Sequence, residues 1–380
     1  MNIASWVEID RSALLHNIAI FRRLAGERIL AAVVKGNAYG HGMTEVAATI
    51  EPAVDWFAVN SVDEARALHD DGRTKPILIM GATIPERCDE VVAGGFRQVV
   101  VNCESVKALA AAAARHGVRA RVHVEVETGT NRLGVRPDEC VRFISFIRTL
   151  PDLELEGVYT HFANIEDSLD SSYAEQQLTR YQQTLGRIEA AGPIPIKHTA
   201  ASAAAMLYPQ THFNLLRMGV GLYGLWPSPL TRQASESAGR ALELRPVLSW
   251  KTRVVHLNDV PMGETVGYGC TYYVSQPRRI ATVPIGYYEG LDRGLSSRGP
   301  DSVASMVVRG CPAPIVGRIS MDMTTIDVSR IPNVAVGDEV VVIGEQAGTQ
   351  ATADTMAHAL DTINYEIVTR IGTSLPRVVV

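Results

Sequence analysis

Short apolar runs alternate with amphipathic stretches along the first part of this chain, up to about Gly224. Runs of about 4–8 apolar and β-branched residues between turn residues are typical of buried parallel strands, whereas apolar residues three or four positions apart are typical of helices. Helical stretches such as Ser105–His116 and Ser172–Ala190 separate the runs. Because these strand–helix units follow one another without interruption, we expect a (β/α)8 TIM-like barrel. The strand candidates are Ile29–Val34, Trp56–Val59, Pro76–Met80, Gln98–Val101, Val118–Val126, Leu155–Thr160, Pro195–His198 and Phe213–Arg217.

The pattern changes after Gly224. A linker is predicted over Pro227, Ser228, Pro229 and the polar stretch Thr231–Gly239. From about Leu242 the chain becomes rich in short strands and turns. Helical patterning returns only near Thr352–Leu360. We therefore expect this second part to form a mostly antiparallel β domain.

Length and composition agree with two globular domains. The chain has 380 residues, of which 46% are apolar and 20% are charged, and this is the balance of an ordinary soluble protein. We assign residues 1–235 to the barrel and residues 236–380 to the β domain. The short alternating strand Ser5–Ile9 could join the β domain instead.

Charge, cysteine usage and hydropathy exclude several classes of function. A formal net charge of -5 argues against a nucleic-acid partner, which needs a basic surface. The five cysteines are scattered without CxxC spacing, so we expect neither a disulfide framework nor a metal site. The start MNIASWVEIDRSALL lacks the pattern of a signal peptide, and no run of roughly 18 apolar residues occurs. We therefore expect a cytoplasmic protein with no membrane span.

One lysine follows the first strand of the predicted barrel. The run Ile29–Val34 leads into Lys35, and the chain then breaks into a turn with the residues Gly36, Asn37, Gly40 and Gly42. An ammonium group is costly to desolvate. The lysine therefore either reaches the surface, pairs with a carboxylate, or has a lowered pKa that suits Schiff-base chemistry. The strand alone leaves these interpretations open.

Other polar residues follow later strands, at the edge of the predicted barrel where active sites lie. Any one of them alone is more often structural, but a set at one edge favours a functional site. The turns Ala201–Ser202 and Gly219–Gly221 could offer backbone N–H groups to a phosphate. The set comprises Arg132, His161, His198, Ser202 and Arg217.

Nine segments form a specific series along the chain: AVVKGNAYGHG (32–42), VDWFAVNSVDEA (54–65), ETGTNRLG (127–134), GVYTHFA (157–163), NLLRMGVGLYG (214–224), GYGCTYY (267–273), PIGYYEGLDR (284–293), VGRISMDMTTID (316–327) and INYE (363–366). Taken in this order they resemble the PLP-dependent alanine racemases, and the resemblance covers nearly the whole chain. It implies a barrel that carries the cofactor lysine, a β domain, and a head-to-tail homodimer with shared active sites.

The resemblance implies a set of cofactor ligands. Lys35 would hold PLP as a Schiff base, and Arg217 would face the pyridine nitrogen. Because arginine keeps its proton, that nitrogen would stay unprotonated, which weakens the electron sink and disfavours decarboxylation and transamination. His161 and His198 would also line the cofactor site. The ligands of the phosphate would be Tyr39, Ser202, Gly219, Val220 and Tyr365.

The resemblance also implies two proton-transfer groups. Lys35 would serve one face of the substrate α-carbon, and Tyr268 from the other subunit would serve the opposite face. A free tyrosine has a pKa near 10, so as a base it needs cationic or hydrogen-bonding neighbours. His161 together with Arg217 could supply them.

The substrate site implied by the resemblance is small. Arg132 and the backbone N–H of Met321 would hold the substrate carboxylate. Tyr287 and Tyr365 would narrow the entrance and the side-chain pocket. The expected function is therefore the interconversion of L- and D-alanine, which supplies D-alanine for peptidoglycan.

One position departs from the family pattern. Many members carry a carbamylated lysine seven residues before the arginine that matches Arg132, and its negative charge orients that arginine. Here the position is Glu125. We hypothesise that its carboxylate does the same work, directly or through water. The sequence TGTNR in place of TGMGR leaves room for serine or a broader substrate range.

Other functions remain open at this point. A racemase for serine or several small amino acids would share the chemistry and differ in pocket size. A non-catalytic PLP-binding protein would resemble a single barrel, and the predicted β domain with Tyr268 argues against it. A PLP decarboxylase would need a substrate-binding cysteine motif near the C-terminus, which we do not find. A phosphate-binding barrel enzyme without PLP is the remaining alternative.

Overall fold

The computed structural model describes residues 4–167, 170–240, 242–297 and 304–380. The chain divides into two compact units. Leu15–Gly36 and Ala47–Arg245 form the first, which we call the barrel unit. Met1–Leu14, Asn37–Val46 and Pro246–Val380 form the second, which we call the β unit. Within the described ranges, no helix is long and apolar enough to cross a bilayer.

The strands are β1 (Ser5–Ile9), β2 (Ile29–Val33), β3 (Trp56–Val59), β4 (Ile77–Ile79), β5 (Arg97–Val100), β6 (Ala120–Glu125), β7 (Leu153–Tyr159), β8 (Ile196–His198), β9 (Leu215–Met218), β10 (Leu248–Arg253), β11 (His256–Val260), β12 (Thr265–Val266), β13 (Tyr272–Tyr273), β14 (Arg278–Val283), β15 (Ser305–Val308), β16 (Cys311–Pro314), β17 (Thr324–Asp327), β18 (Glu339–Gln346), β19 (Thr349–Ala351) and β20 (Arg377–Val379). The helices are α1 (Arg11–Ala25), α2 (Lys35–Tyr39), α3 (Met43–Ile50), α4 (Val62–Asp70), α5 (Cys88–Ala93), α6 (Cys103–His116), α7 (Cys140–Arg148), α8 (Ser172–Glu189), α9 (Ser202–Leu207), α10 (Pro229–Ser237), α11 (Ala353–Leu360) and α12 (Asn364–Thr369).

The barrel unit is built on an eight-stranded parallel sheet in the order β8-β7-β6-β5-β4-β3-β2-β9, which forms a nearly closed barrel. Each strand falls within a few residues of an apolar run of the sequence, so the predicted barrel is confirmed. Strands such as β3 and β4 are buried along their whole length. This explains why their sequences are continuous apolar runs and not alternating apolar and polar patterns. Local signals begin the helices, as in α4, where Ser61 and Glu64 form a capping box.

The predicted linker is wrong over most of its length. Pro229–Ser237 forms helix α10, which begins at Ser228. The Ser228 hydroxyl accepts the N–H of Thr231, and Pro229 stands at the first helical position, where its missing N–H costs nothing. Thr231 and Ser235 are buried, so this polar stretch forms a helix with one face packed inward.

In the part of the β unit that the structure describes there are three sheets, which are mostly antiparallel as expected. The largest has the order β16-β15-β18-β10-β1-β20, with β19 paired to β18. Its first strand along the chain, β1, pairs antiparallel with β10 and parallel with β20. The others are β11-β14-β17 and the hairpin β12-β13. Besides α11, the C-terminal part contains helix α12, which the sequence pattern did not predict.

Candidate active site

Lys35 lies in the barrel unit, two residues after the last residue of β2, and follows the fully buried Val34. Its pKa is lowered, first by burial and then by the nearby charges of Arg132 and Arg217, while Glu64 acts in the opposite direction. A lysine with a lowered pKa is an available nucleophile toward a carbonyl group. Among the interpretations that the sequence left open, this geometry favours the reactive amine.

The turn after Lys35 has an unusual backbone. Gly36, Asn37, Ala38 and Tyr39 all have positive φ, between 53° and 62°. Consecutive left-handed residues cost about 1–2 kcal/mol each for residues other than glycine. Within the barrel unit, the carboxylate of Glu64 accepts the N–H of Gly36 at 2.6 Å and so holds the start of the turn. Strain of this kind is typical of functional sites.

Tyr39 and Tyr365 come together in the β unit. Their ring centroids lie 6.0 Å apart. A Cβ at Gly40 would overlap the carbonyl oxygen of Val368 on α12, so only glycine allows the segment after Tyr39 to approach this helix. The structure thus brings together the two tyrosines that the sequence assigned to the phosphate.

Arg217 is a buried cation at the end of β9 and is only 3% exposed. Its Nη1 donates to Nδ1 of His198 at 2.6 Å, and its Nη2 donates to the carbonyl oxygens of Thr160 and Thr199, both at 3.1 Å. The guanidinium carbon also lies 4.9 Å from the ring centroid of Tyr159. These contacts fix the plane of the guanidinium.

His161 is a neutral neighbour of this cation. Its Nδ1 lies 3.4 Å from Nη2 of Arg217. Burial, followed by the charges of Arg217, Arg132 and Lys35, lowers the pKa of His161 to about 3. His161 therefore acts as a hydrogen-bonding group and carries no positive charge at neutral pH.

Ser202 and the glycines after β9 form a polar turn. The Ser202 hydroxyl accepts the N–H groups of Gly219 and Gly221 at 3.2 and 3.3 Å. A Cβ at Gly221 would lie 2.6 Å from the ring of Phe21, so this turn is tightly packed. A hydroxyl and backbone N–H groups after the last strands of a barrel suit a phosphate.

Glu125 makes a different contact from the one that the sequence suggested. It is 3% exposed, and its Oε2 accepts a hydrogen bond from Tyr159 Oη at 2.7 Å. Burial raises the pKa of Glu125, whereas the hydrogen bond of Tyr159 and the charges of Arg217 and Arg132 oppose this rise. Within the described ranges, Arg132 itself is exposed and has no hydrogen bond to Glu125. Glutamate is shorter than a carbamylated lysine, which explains why the direct contact is absent.

The remaining predicted residues lie in the β unit. Tyr268 is 72% exposed and occupies the turn between β12 and β13. Tyr287 and Met321 belong to adjacent segments, since the N–H of Tyr287 donates to Ser320 O and a Cβ at Gly286 would overlap the carbonyl oxygen of Met321. Both side chains are largely exposed.

Models of two protein domains match this chain. The N-terminal domain of alanine racemase matches residues 9–227, and the C-terminal domain of alanine racemase matches residues 247–379. The chain belongs to the alanine racemase family.

Individual members of the family are similar to this chain over its full length. An alanine racemase of Desulfosudis oleivorans is 42% identical over 389 residues, which cover 99% of this chain and 97% of that protein. The structure of an alanine racemase of Clostridium difficile 630 has a TM-score of 0.93 and 32% identity, covering 100% of this chain and 96% of that one. The structure of an alanine racemase of Bacillus anthracis with bound L-Ala-P has a TM-score of 0.91 and 33% identity, covering 100% of this chain and 96% of that one.

Sequence reasoning missed the buried polar residues inside the barrel strands. His123 and Glu156 lie within β6 and β7, and Tyr159 ends β7, stacked on His198 with ring centroids 4.6 Å apart. A signal was present, because a histidine and a glutamate inside apolar strands need partners when buried. The sequence does not show which partners they find.

Proposed function

We propose that the protein racemises alanine with PLP, which Lys35 holds covalently at the end of β2. When bound, PLP supplies an electron sink that acidifies the α-proton of an amino acid. The residues present fit this cofactor. Lys35 has a lowered pKa, Arg217 is a fixed buried cation for the ring nitrogen, and the turn of Ser202 and Gly219 suits the phosphate. His161 and His198 fix Arg217 from two sides.

The phosphate site would be completed by the backbone of Val220 and by Tyr39 and Tyr365. Val220 begins the helical turn after Gly219, and the first N–H groups of a helical turn have no partner within it. Tyr39 and Tyr365 present their rings to one another in the β unit. A tyrosine hydroxyl is a suitable donor to a phosphate oxygen.

Two groups would exchange the α-proton. Nζ of Lys35 would take or return it on one face, since its lowered pKa favours the free amine. Oη of Tyr268 would do so on the other face, and its large exposure leaves it accessible. Arg132 and the N–H of Met321 would bind the substrate carboxylate, and Tyr287 would narrow the entrance.

A homodimer is part of this proposal. Several large apolar side chains of the β unit are exposed in the single chain, and exposed apolar groups mark interaction surfaces. The surface would place Tyr268 of one copy at the barrel of another. We further propose that the enzyme works in the cytoplasm and supplies D-alanine for peptidoglycan. The exposed side chains are Tyr268, Tyr273, Tyr287, Tyr288, Met321, Met323 and Ile363.

The observation that carries the proposal is the lowered pKa of Lys35 beside two arginines at the end of a barrel strand. The test incubates L-alanine and L-serine separately with purified protein and PLP, followed by chiral chromatography. Racemised alanine with little racemised serine is expected. Lys35→Arg keeps the charge but should abolish both the reaction and a borohydride-reducible cofactor band, and exposed Lys107→Arg serves as the control.

The serine alternative is tested in the same experiment. The segment before Arg132 differs from the common family sequence, and Thr130 Oγ1 donates to the carbonyl of His161 at 2.7 Å. Comparable turnover of both amino acids would make the protein a broad-specificity racemase. If neither amino acid racemises in a PLP-loaded dimer, the proposed function is wrong while the fold stands.

A further inference from the structure

A chain of hydrogen bonds leads from Arg217 through the barrel interior to a carboxylate that has no part in the proposed reaction. Nη1 of Arg217 lies 2.6 Å from Nδ1 of His198, whose Nε2 lies 2.9 Å from Nδ1 of His123. Nε2 of His123 lies 3.0 Å from Oε2 of Glu156, which also accepts Nε of Arg97 at 3.1 Å. The five residues stand on β5 to β9, one on each strand, and both imidazoles are fully buried.

The guanidinium of Arg217 sets the direction of every hydrogen bond in this series. A guanidinium can only donate, so Nδ1 of His198 accepts and the ring proton of His198 lies on Nε2. That N–H donates to Nδ1 of His123, whose proton therefore lies on Nε2 and is donated to Glu156. Burial lowers the pKa of both imidazoles, so each ring is neutral and carries one proton.

Glu156 stands at the other end of this series and accepts the Nε2 proton that the His123 tautomer presents. Burial opposes the ionisation of this carboxyl group, but the hydrogen bond from His123 and the charge of Arg97 hold its pKa below the usual range. Arg121 approaches the other carboxylate oxygen at 3.7 Å. The chain therefore ends on an ionised carboxylate with two cationic neighbours.

Two backbone features accommodate this contact. Val122 pairs with Leu155, but the next residue, His123, pairs with Gly157, so Glu156 is the extra residue of a β-bulge. Bulges are rare between parallel strands, and they change the direction in which a side chain points. A Cβ at Gly157 would overlap Nδ1 of His123, so only glycine leaves room for the imidazole.

We propose that Glu156 is a positioning residue for the reaction, acting through His123 and His198 to fix how Arg217 presents its N–H groups. The proposal rests on the proposed role of Arg217 at the cofactor ring nitrogen. Without the carboxylate, the proton of His123 can move to Nδ1. His198 would then have to place an N–H against Arg217, which cannot accept it.

The test compares three variants of the full-length, PLP-loaded enzyme. Glu156→Leu removes the acceptor, and Glu156→Gln keeps an oxygen acceptor without the charge. Glu154→Gln is the matched control, since Glu154 stands two residues earlier on β7 and pairs with Arg121 at 3.4 Å outside the chain of hydrogen bonds. The readouts are the tautomers of selectively 15N-labelled histidines by NMR, the absorption spectrum of the bound cofactor, and kcat and KM for alanine.

We expect single Nε2–H tautomers of His123 and His198 in the wild type and in the control. Both Glu156 variants should show mixed tautomers and a shifted cofactor band, because leucine offers no acceptor and the glutamine amide can donate to Nε2 of His123 as well as accept from it. In Glu156→Leu, kcat should fall about tenfold, as for loss of one buried hydrogen-bond acceptor, with KM within about twofold.

Wild-type tautomers and an unchanged cofactor band in the Glu156 variants would overturn the proposal, even if their melting temperature falls. If Glu156→Leu does not fold, the same criterion applies to Glu156→Gln, which keeps the shape of the side chain. The tautomers are also measured without PLP. A protein that binds no PLP but shows the expected tautomers would refute the proposed function and leave the hydrogen-bond chain intact.

Discussion

Acid should destabilise this protein through His41, which lies in the β unit just after the left-handed turn. The side chain is fully buried, and its Nδ1 donates to the carbonyl oxygen of Tyr39 at 2.9 Å. Burial lowers the pKa of His41 from 6.5 to about 4, against the raising effect of its backbone hydrogen bonds. Below pH 6.5 the unfolded chain therefore binds a proton that the folded chain does not, and stability falls as the pH falls.

The magnitude follows from the two pKa values. The full difference between 6.5 and about 4 corresponds to about 3 kcal/mol, which is lost between these two pH values. At pH 5 the unfolded imidazole is almost fully protonated and the folded one is almost neutral, so the loss from His41 is about 2 kcal/mol.

Urea unfolding of the cofactor-free protein at pH 8 and pH 5 measures this loss. His41→Asn keeps a donor for the carbonyl of Tyr39 and cannot titrate, so it should lose about 2 kcal/mol less than the wild type. His358→Asn, at an exposed position of the same unit, is the control and should follow the wild type. The reasoning is refuted if His41→Asn and the wild type lose the same free energy to within about 0.5 kcal/mol.

Three further changes have defined outcomes. Tyr268→Phe should abolish racemisation while leaving α-proton exchange with solvent for one enantiomer of alanine, as measured by deuterium incorporation; exchange of both enantiomers would contradict the two-base proposal. Gly221→Ala places a methyl group 2.6 Å from the ring of Phe21 and should destabilise the protein by about 1–3 kcal/mol in thermal unfolding. An unchanged melting temperature would show that the backbone of this turn shifts to accommodate the methyl group. Glu125→Gln removes the carboxyl group that interacts electrostatically with Arg132 and should raise KM for alanine. An unchanged KM would rule out any influence of Glu125 on substrate binding.

The sequence by itself determined the barrel, the β-rich second part and the lysine at the first strand end. Buried parallel strands are recognisable because both faces are covered, so runs such as Trp56–Val59 lack polar positions. Lys35 stood out because a charged side chain interrupts such a pattern. The linker prediction failed because Ser228 and Pro229 begin a helix whose small polar residues pack inward, which an apolar pattern does not reveal.

The tertiary structure alone decided which distant residues meet. It placed Asn37–Val46 in the β unit, although the chain before and after this segment belongs to the barrel unit. It paired Glu125 with Tyr159, and it joined Glu156 to Arg217 through two histidines. Local spacing determines burial and turns, because these depend on neighbours along the chain. Contacts between strands depend on their register, and one bulged residue in β7 sets the hydrogen-bond partner of a residue on another strand.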